Sequence, residues 1–217
     1  MTAADSTVFL VDDDSGVLKA LSRLLTAKGY DVRTFCSPQL FIDQHDPSVA
    51  GCAVLDLAMP GMDGLQLQSV LGAAGVPRPV IFLTARGDVR NSVSAMKAGA
   101  VDFLSKPVDA SELVSAIERA FDQDARTRRL REELGAVNAR LSRLTPREHE
   151  VLRHVIAGRL NKQIAFEIGT GEKTVKVHRG RMLRKLGIRT VPELVRLAEK
   201  AGITPCPART DDTGCYP

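Results

Sequence analysis

The chain has 217 residues, 44% hydrophobic and 26% charged, which is enough for two modest cores. Aromatic residues make up only 4% and there is no Trp, which argues against a stacking platform for single-stranded nucleic acid. No apolar stretch approaches the ~20 residues of a membrane span and the N-terminus shows no basic-plus-apolar leader, so a cytoplasmic protein without membrane contact is expected. The net charge of +4 conceals an asymmetry: residues 1–120 hold 10 Lys/Arg against 14 Asp/Glu, and residues 121–217 hold 20 against 12. That split suits a regulatory or catalytic module tied to a polyanion binder, or simply solvated surface charge. Cys36, Cys52, Cys206 and Cys215 have no metal-ligand spacing and read as reduced thiols.

In chain order, Val8–Val11 is a short β-type run ending in Asp12-Asp13-Asp14, and Ser15 is expected to cap the amphipathic helix that follows. Gly29 ends that helix. Tyr30–Phe35 alternates like a strand, and a short helix spans about Pro38 to Gln44. Cys52–Leu55 forms a strand leading to Asp56, followed by a Pro/Gly-rich loop and a helical stripe over Leu65–Leu71. Pro79–Leu83 is a strand ending at Thr84, and Asp88 caps a helix through Ala98, with Gly99 as its stop. Val101–Leu104 is the last strand, ending at Lys106-Pro107, and Asp109-Ala110-Ser111-Glu112 opens a further helix.

Five strands alternating with five helices predict an α/β doubly wound (flavodoxin-like) domain with a parallel sheet. Asp12, Asp13, Asp56, Thr84 and Lys106 each follow a strand, so the fold collects them at one edge, where open parallel sheets bind ligands. Crowded carboxylates repel unless a cation joins them, and an all-oxygen set suits Mg²⁺ (or Mn²⁺). Asp56 is the candidate nucleophile through an acyl phosphate, with Lys106 and the Thr84 hydroxyl placed to meet phosphoryl oxygens. Taken singly, each residue has a plainer reading as a turn, cap or core residue.

Residues from about Val8 to Phe121 resemble the receiver domain of bacterial two-component response regulators. The resemblance rests on the acidic triplet, Asp56 in Leu-Asp-Leu-Ala-Met-Pro-Gly-Met-Asp-Gly, Thr84-Ala85, Ala98-Gly99-Ala100, Phe103 and Lys106-Pro107. It implies Asp56 as phosphoacceptor, with Asp12, Asp13, Asp56 and the backbone carbonyl of Ala58 around Mg²⁺. It also implies Thr84 and Phe103 as a switch pair and a cis peptide before Pro107. Asp14 reads as a helix-start residue rather than a ligand.

From Ala120 to Leu144 there is no proline, and Leu130, Leu134, Val137, Leu141 and Leu144 are spaced four, three, four, three. This predicts a long helical linker, either pairing as a short coiled coil or lying exposed against one domain. Thr145-Pro146-Arg147-Glu148 is a capping box with Pro at the first helical position. Helices then follow to Gly158, over Asn161–Ile168, over Glu172–Leu186, and from Thr190-Val191-Pro192-Glu193 onward: an all-α four-helix domain with a helix-turn-helix.

The third of these helices carries Lys173, Lys176, His178, Arg179, Arg181, Arg184 and Lys185, the chemistry that duplex phosphates and base edges require. Residues 144–201 resemble LuxR/FixJ-type helix-turn-helix domains through Leu144–Glu148, Gly158, Asn161–Ala165 and Lys173–Arg179. The resemblance places Lys176 and Val177 toward the bases, Lys162, Thr174, His178 and Arg179 toward phosphates, and Arg181 and Arg184 in the DNA-facing set. Two departures stand out: Thr170-Gly171 is a weak cap, and Gly180 lies inside the recognition helix.

The expected layout is a receiver at 1–121, a helical linker at 122–143, a DNA-binding domain at 144–202 and a disordered tail at 203–217. The chain is similar to response regulators of the FixJ/NarL type. That implies a transcriptional regulator phosphorylated by a sensor histidine kinase, dimerising on a two-fold site in double-stranded DNA, and no enzyme beyond its own phosphoryl transfer and dephosphorylation. Two alternatives remain: an aspartyl-phosphate phosphatase, disfavoured because Ala58 stands where a second Asp is needed, and a DNA binder indifferent to phosphorylation.

Overall fold

The computed structural model describes residues 6–73, 75, 78–85 and 99–207. The chain divides into two compact units, one ending at Arg128 and one beginning at Arg129. In the first, β1 (Thr7–Val11), β2 (Asp31–Phe35), β3 (Gly51–Asp56), β4 (Val80–Thr84) and β5 (Asp102–Ser105) form one sheet in the order β2-β1-β3-β4-β5. Every pair is parallel.

β1, β3 and β4 are buried at every residue, which explains the apolar runs Val8–Val11, Cys52–Leu55 and Val80–Leu83: both faces are covered. Alternation sorts the side chains. Val8, Leu10, Val54, Ile81 and Leu83 pack with Leu18 and Leu25 of α1 (Ser15–Ala27) and with Leu113 and Ile117 of α4 (Ala110–Leu141). Phe9, Val11, Leu55 and Phe82 pack with Phe41 of α2 (Pro38–Gln44) and Leu67 and Leu71 of α3 (Gly64–Ala73). Helices on both faces define the doubly wound architecture. The helix expected over Asp88–Ala98 lies outside the described residues.

One cap differs from expectation. Asp14, not Ser15, caps α1: its Oδ1 accepts from the backbone N–H groups of Gly16 at 2.7 Å and Val17 at 3.3 Å. Asp14 has the extended backbone of a cap, whereas Ser15 is already helical.

α4 is a single helix of 32 residues. Its middle is tied to the first unit by Arg128, which bonds Asp124 at 2.7 Å and donates to the carbonyls of Pro47, Ser48 and Val49. Asp124 also accepts from the Gly51 N–H at 2.8 Å. The linker is therefore helical as expected, but it divides between the two units rather than forming a third. Its apolar series is not one seam. Leu141 and Leu144 are buried in the second core with Val137 packed against it, whereas Leu130 and Leu134 are 61% and 43% exposed.

In the second unit, α5 (Pro146–Ile156), α6 (Asn161–Glu167), α7 (Glu172–Leu186) and α8 (Val191–Lys200) enclose Leu152, Ile164, Val175, Met182, Leu186 and Leu194. Both halves of the Thr145–Glu148 capping box are present, with Thr145 N–H donating to Glu148 Oε2 at 2.8 Å. Residues 203–207, expected to be disordered, are held: Ile203 N–H donates to Ala198 O, and Cys206 N–H to Arg153 O. The remainder of that tail, 208–217, lies outside the described residues.

Candidate functional site: an acidic sheet edge and a basic helix

The strand register explains the acidic edge. Val11 of β1 sits opposite Leu55 of β3, so Asp12 and Asp56, each one residue further on, emerge side by side. This is where the strand order reverses, between strands whose crossovers go to opposite faces. Asp12 and Asp56 are buried and Asp13 is exposed, and one carboxylate oxygen from each can be chosen so that all lie within 4.8 Å of one another. Gly64, at the start of α3, has to be glycine: a Cβ there would fall 2.6 Å from Asp56 O and 3.0 Å from the Phe82 ring. The loop carrying the exposed Ala58 can therefore return closely over the end of β3.

Lys106 follows β5 directly and precedes a cis Lys106–Pro107 peptide. Its Nζ lies 2.6 Å from Asp12 Oδ2 and 2.8 Å from Asp56 Oδ1. Burial would lower its pKa, but the hydrogen bonds to Asp12 and Asp56 outweigh that and hold it above the ordinary lysine value. Burial also pushes the Asp12 carboxyl up, despite opposing hydrogen bonds from Lys106 and from Asp14 N–H. A carboxylate group of this kind with one ammonium across it can accept a hard divalent cation.

Thr84 ends β4, and its hydroxyl donates to Ala85 O at 3.2 Å. Phe103 in β5 is opposite Phe82 and half-buried against the core on the α2/α3 face. The structure thus gathers Asp12, Asp13, Asp56 and Lys106 into one cluster. The Thr84 hydroxyl is engaged with its own backbone neighbour, and Phe103 packs on the α2/α3-face core outside that cluster.

The second candidate surface is α7. Val175, Met182 and Leu186 point into the core, which leaves Thr174, Lys176, Val177, Arg181 and Arg184 exposed, joined by exposed Lys162 of α6. His178 and Arg179 are half-buried, and Arg179 Nη1 donates to Asn161 Oδ1 at 3.0 Å, tying α7 to the start of α6. Lys185 turns away from this face to Glu148. Gly171 leaves α7 without a side-chain cap, as its sequence implied. Charge pattern alone did not reveal the Lys185–Glu148 and Asp124–Arg128 pairs, because each joins a surface-type residue to a buried carboxylate.

A doubly wound domain with an acidic strand-end cluster, followed by a helix-turn-helix with a basic outer face, defines a signal-receiving DNA-binding regulator. Comparison with known proteins agrees. The response regulator receiver domain family matches residues 8–118, and the bacterial regulatory proteins of the luxR family match residues 142–198. The chain is 38% identical to the response regulator protein TodT of Pseudomonas putida over 92% of its own length and 88% of TodT. It is also 38% identical to the transcriptional regulatory protein FixJ of Rhizobium meliloti, over 93% and 98%. Among solved structures, the response regulator StyR superposes with a TM-score of 0.81 at 45% identity, covering 91% of this chain and all of that one. Full-length FixJ from B. japonicum gives 0.57 at 36% identity, over 92% and 98%. The chain belongs to the response regulators that join a receiver domain to a LuxR-type DNA-binding domain, a family of transcriptional regulators rather than enzymes. Among the described residues, no helix is long and apolar enough to cross a membrane.

Proposed function

We propose that Asp56 is the phosphoacceptor through which a sensor histidine kinase controls binding of this protein to double-stranded DNA in the cytoplasm. The observation that supports it best is the convergence of Asp12, Asp13, Asp56 and Lys106 on one strand-end edge. A carboxylate oxygen of Asp56 attacks the phosphorus of a phosphohistidine, the N–P bond breaks, and an acyl phosphate remains. Asp12, Asp13, Asp56 and the backbone carbonyl of Ala58 would hold Mg²⁺ or Mn²⁺, whose charge offsets that of the phosphoryl group. Lys106 passes from Asp12 to a phosphoryl oxygen, and the Thr84 hydroxyl turns from Ala85 O to another. Phe103 follows Thr84 by repacking, which couples the new charge to the receiver surface.

In this reading residues 1–121 receive the signal, 122–143 transmit it, and 144–202 bind DNA as a homodimer on a two-fold site. Lys176 and Val177 face bases, Lys162, Thr174, His178 and Arg179 serve phosphates, and Arg181 and Arg184 complete the DNA-facing set. The test is incubation with acetyl phosphate and Mg²⁺, then sedimentation and DNA titration with beryllofluoride as the acyl-phosphate mimic. One phosphoryl group on the wild type and none on Asp56→Asn is expected, with a beryllofluoride-dependent monomer-to-dimer shift and tighter DNA binding. Equal DNA affinity with and without beryllofluoride would mean a binder indifferent to phosphorylation.

A further inference from the structure

The DNA-binding unit contains a second cluster of reactive groups, unrelated to the acidic edge. After α8 the chain returns across α5: Arg153 Nε donates to Thr204 O at 3.2 Å, Cys206 N–H to Arg153 O at 3.2 Å, and Arg159 Nη2 to Pro207 O at 2.8 Å. This strap sets the half-buried thiol of Cys206 3.7 Å from Nε2 of His154. His154 is only 8% exposed, and its other nitrogen, Nδ1, lies 2.8 Å from Glu167 Oε2 on α6. That contact is off the line of a ring N–H bond, so the carboxylate acts on the ring by charge rather than through an aligned hydrogen bond. Arg159 pairs with the other Glu167 oxygen and fixes the carboxylate in place.

We propose that Cys206 is an oxidant-reactive thiol, served by His154 as proton acceptor, whose co-substrate is a small hydroperoxide. The geometry is that of a thiol, an imidazole and a carboxylate in series, one of the arrangements by which an adjacent base activates a cysteine. The Glu167 carboxylate favours the proton on Nδ1, leaving Nε2 free to accept from sulfur. Burial, reinforced by the Arg159 cation, holds the ring's pKa below the ordinary histidine value, so the imidazole is neutral and able to take a proton near pH 7. As the thiol proton passes to Nε2, sulfur attacks one peroxide oxygen; the S–O bond forms and the O–O bond breaks. The departing oxyanion (hydroxide from hydrogen peroxide, alkoxide from an alkyl hydroperoxide) recovers the proton from the imidazolium and leaves as water or the alcohol. Sulfur is oxidised by two electrons to sulfenic acid, and the peroxide is reduced. Cys36 is exposed with no imidazole contact among the described residues, and Cys52 is fully buried with burial pushing its thiol above the usual range, so each supplies an internal comparison.

The experiment treats the full chain with hydrogen peroxide in the presence of dimedone and follows each cysteine's adduct by peptide mass spectrometry. Cys206 is expected to be labelled about tenfold faster than Cys36. His154→Gln, with an unchanged melting curve, should bring it down to the Cys36 rate, and Cys206→Ser confirms the peptide assignment. If His154→Gln does not fold, Glu167→Gln asks the same question through the ring tautomer and should slow Cys206 alone. Labelling of Cys206 no faster than Cys36, or the full rate retained in a folded His154→Gln or Glu167→Gln protein, overturns the proposal.

Discussion

Lys185 Nζ lies 2.6 Å from Glu148 Oε2, a carboxylate that is 2% exposed and also closes the cap of α5. A residue that looks like part of the DNA-facing set is therefore a strut between α7 and α5. Burial raises the pKa of Glu148, but the hydrogen bonds from Lys185 and the Thr145 N–H outweigh this and hold the carboxyl below its usual value. Lys185→Ala leaves a buried charge without its counter-ion. Because Lys185 is partly solvated, the expected loss is about 1–3 kcal/mol rather than the larger cost of breaking a fully buried pair. Urea denaturation of the second unit's transition measures it; an unchanged midpoint would contradict the strut.

Lys176 makes the contrasting case. It is exposed on α7 and no ion pair holds it among the described residues. Lys176→Ala should leave the melting temperature unchanged. If Lys176 contacts phosphate, its loss should weaken DNA binding similarly across sequences and reduce the slope of log affinity against log salt by about one. If it reads a base, the loss should fall on one position of the site. Titration at several salt concentrations separates these from no DNA role at all.

At the acidic edge, Lys106 is the only cation bridging Asp12 and Asp56 among the described residues. Lys106→Ala removes that bridge and leaves the carboxylates repelling one another. The variant should be less stable than the wild type without divalent ions, by about 1–3 kcal/mol. It should also gain more from added Mg²⁺, because the cation no longer competes with an ammonium for the same oxygens. Melting curves across a Mg²⁺ series check both signs, and a Mg²⁺ response no larger than the wild type's would count against a cation site here.

His45 accepts from Arg78 Nε at 2.7 Å on Nε2, which requires a neutral ring. Burial, with the Arg78 cation adding to it, lowers its pKa from 6.5 to about 4. The unfolded chain therefore takes up a proton near pH 6.5 while the folded chain resists until about pH 4. The stability His45 contributes is complete above pH 6.5 and falls away toward pH 4, by at most about 3 kcal/mol. His45→Gln retains an acceptor for Arg78 and should flatten that part of the stability–pH curve; a wild-type curve already flat over this interval would refute the assignment.

The strands that surround the acidic edge were legible because buried parallel strands are written as unbroken apolar runs, and each ends at a polar residue. Asp12, Asp56 and Lys106 are legible in the sequence as one set, since a parallel sheet brings those strand ends to one edge. Three features escaped. The cap of α1 fell to Asp14 because two neighbouring residues could both accept the same hydrogen bonds. The spacing of Leu130 to Leu144 looked like one seam, yet Leu141 and Leu144 are core residues of the second unit, and spacing cannot say which neighbour a stripe meets. The strap over Arg153, His154 and Arg159 is held mainly through backbone carbonyls, which leave no mark on side-chain pattern.

Gly180 supplies the last prediction. It lies in the middle of α7, with an outward-facing position and nothing within 4 Å of the place a Cβ would occupy. An alanine there meets no steric obstacle in the free protein and removes the entropy that glycine loses on becoming helical. Gly180→Ala should therefore stabilise the second unit by about 0.5–1 kcal/mol. The same methyl group projects from the face that carries Lys176, Val177, Arg181 and Arg184. If glycine is there only by tolerance, DNA affinity should hold or rise with stability. If instead the bare backbone lets the helix approach the duplex closely, affinity should fall while stability rises. Measured together, a melting curve and a DNA titration distinguish the two, and a loss of stability would overturn the premise that this position is open.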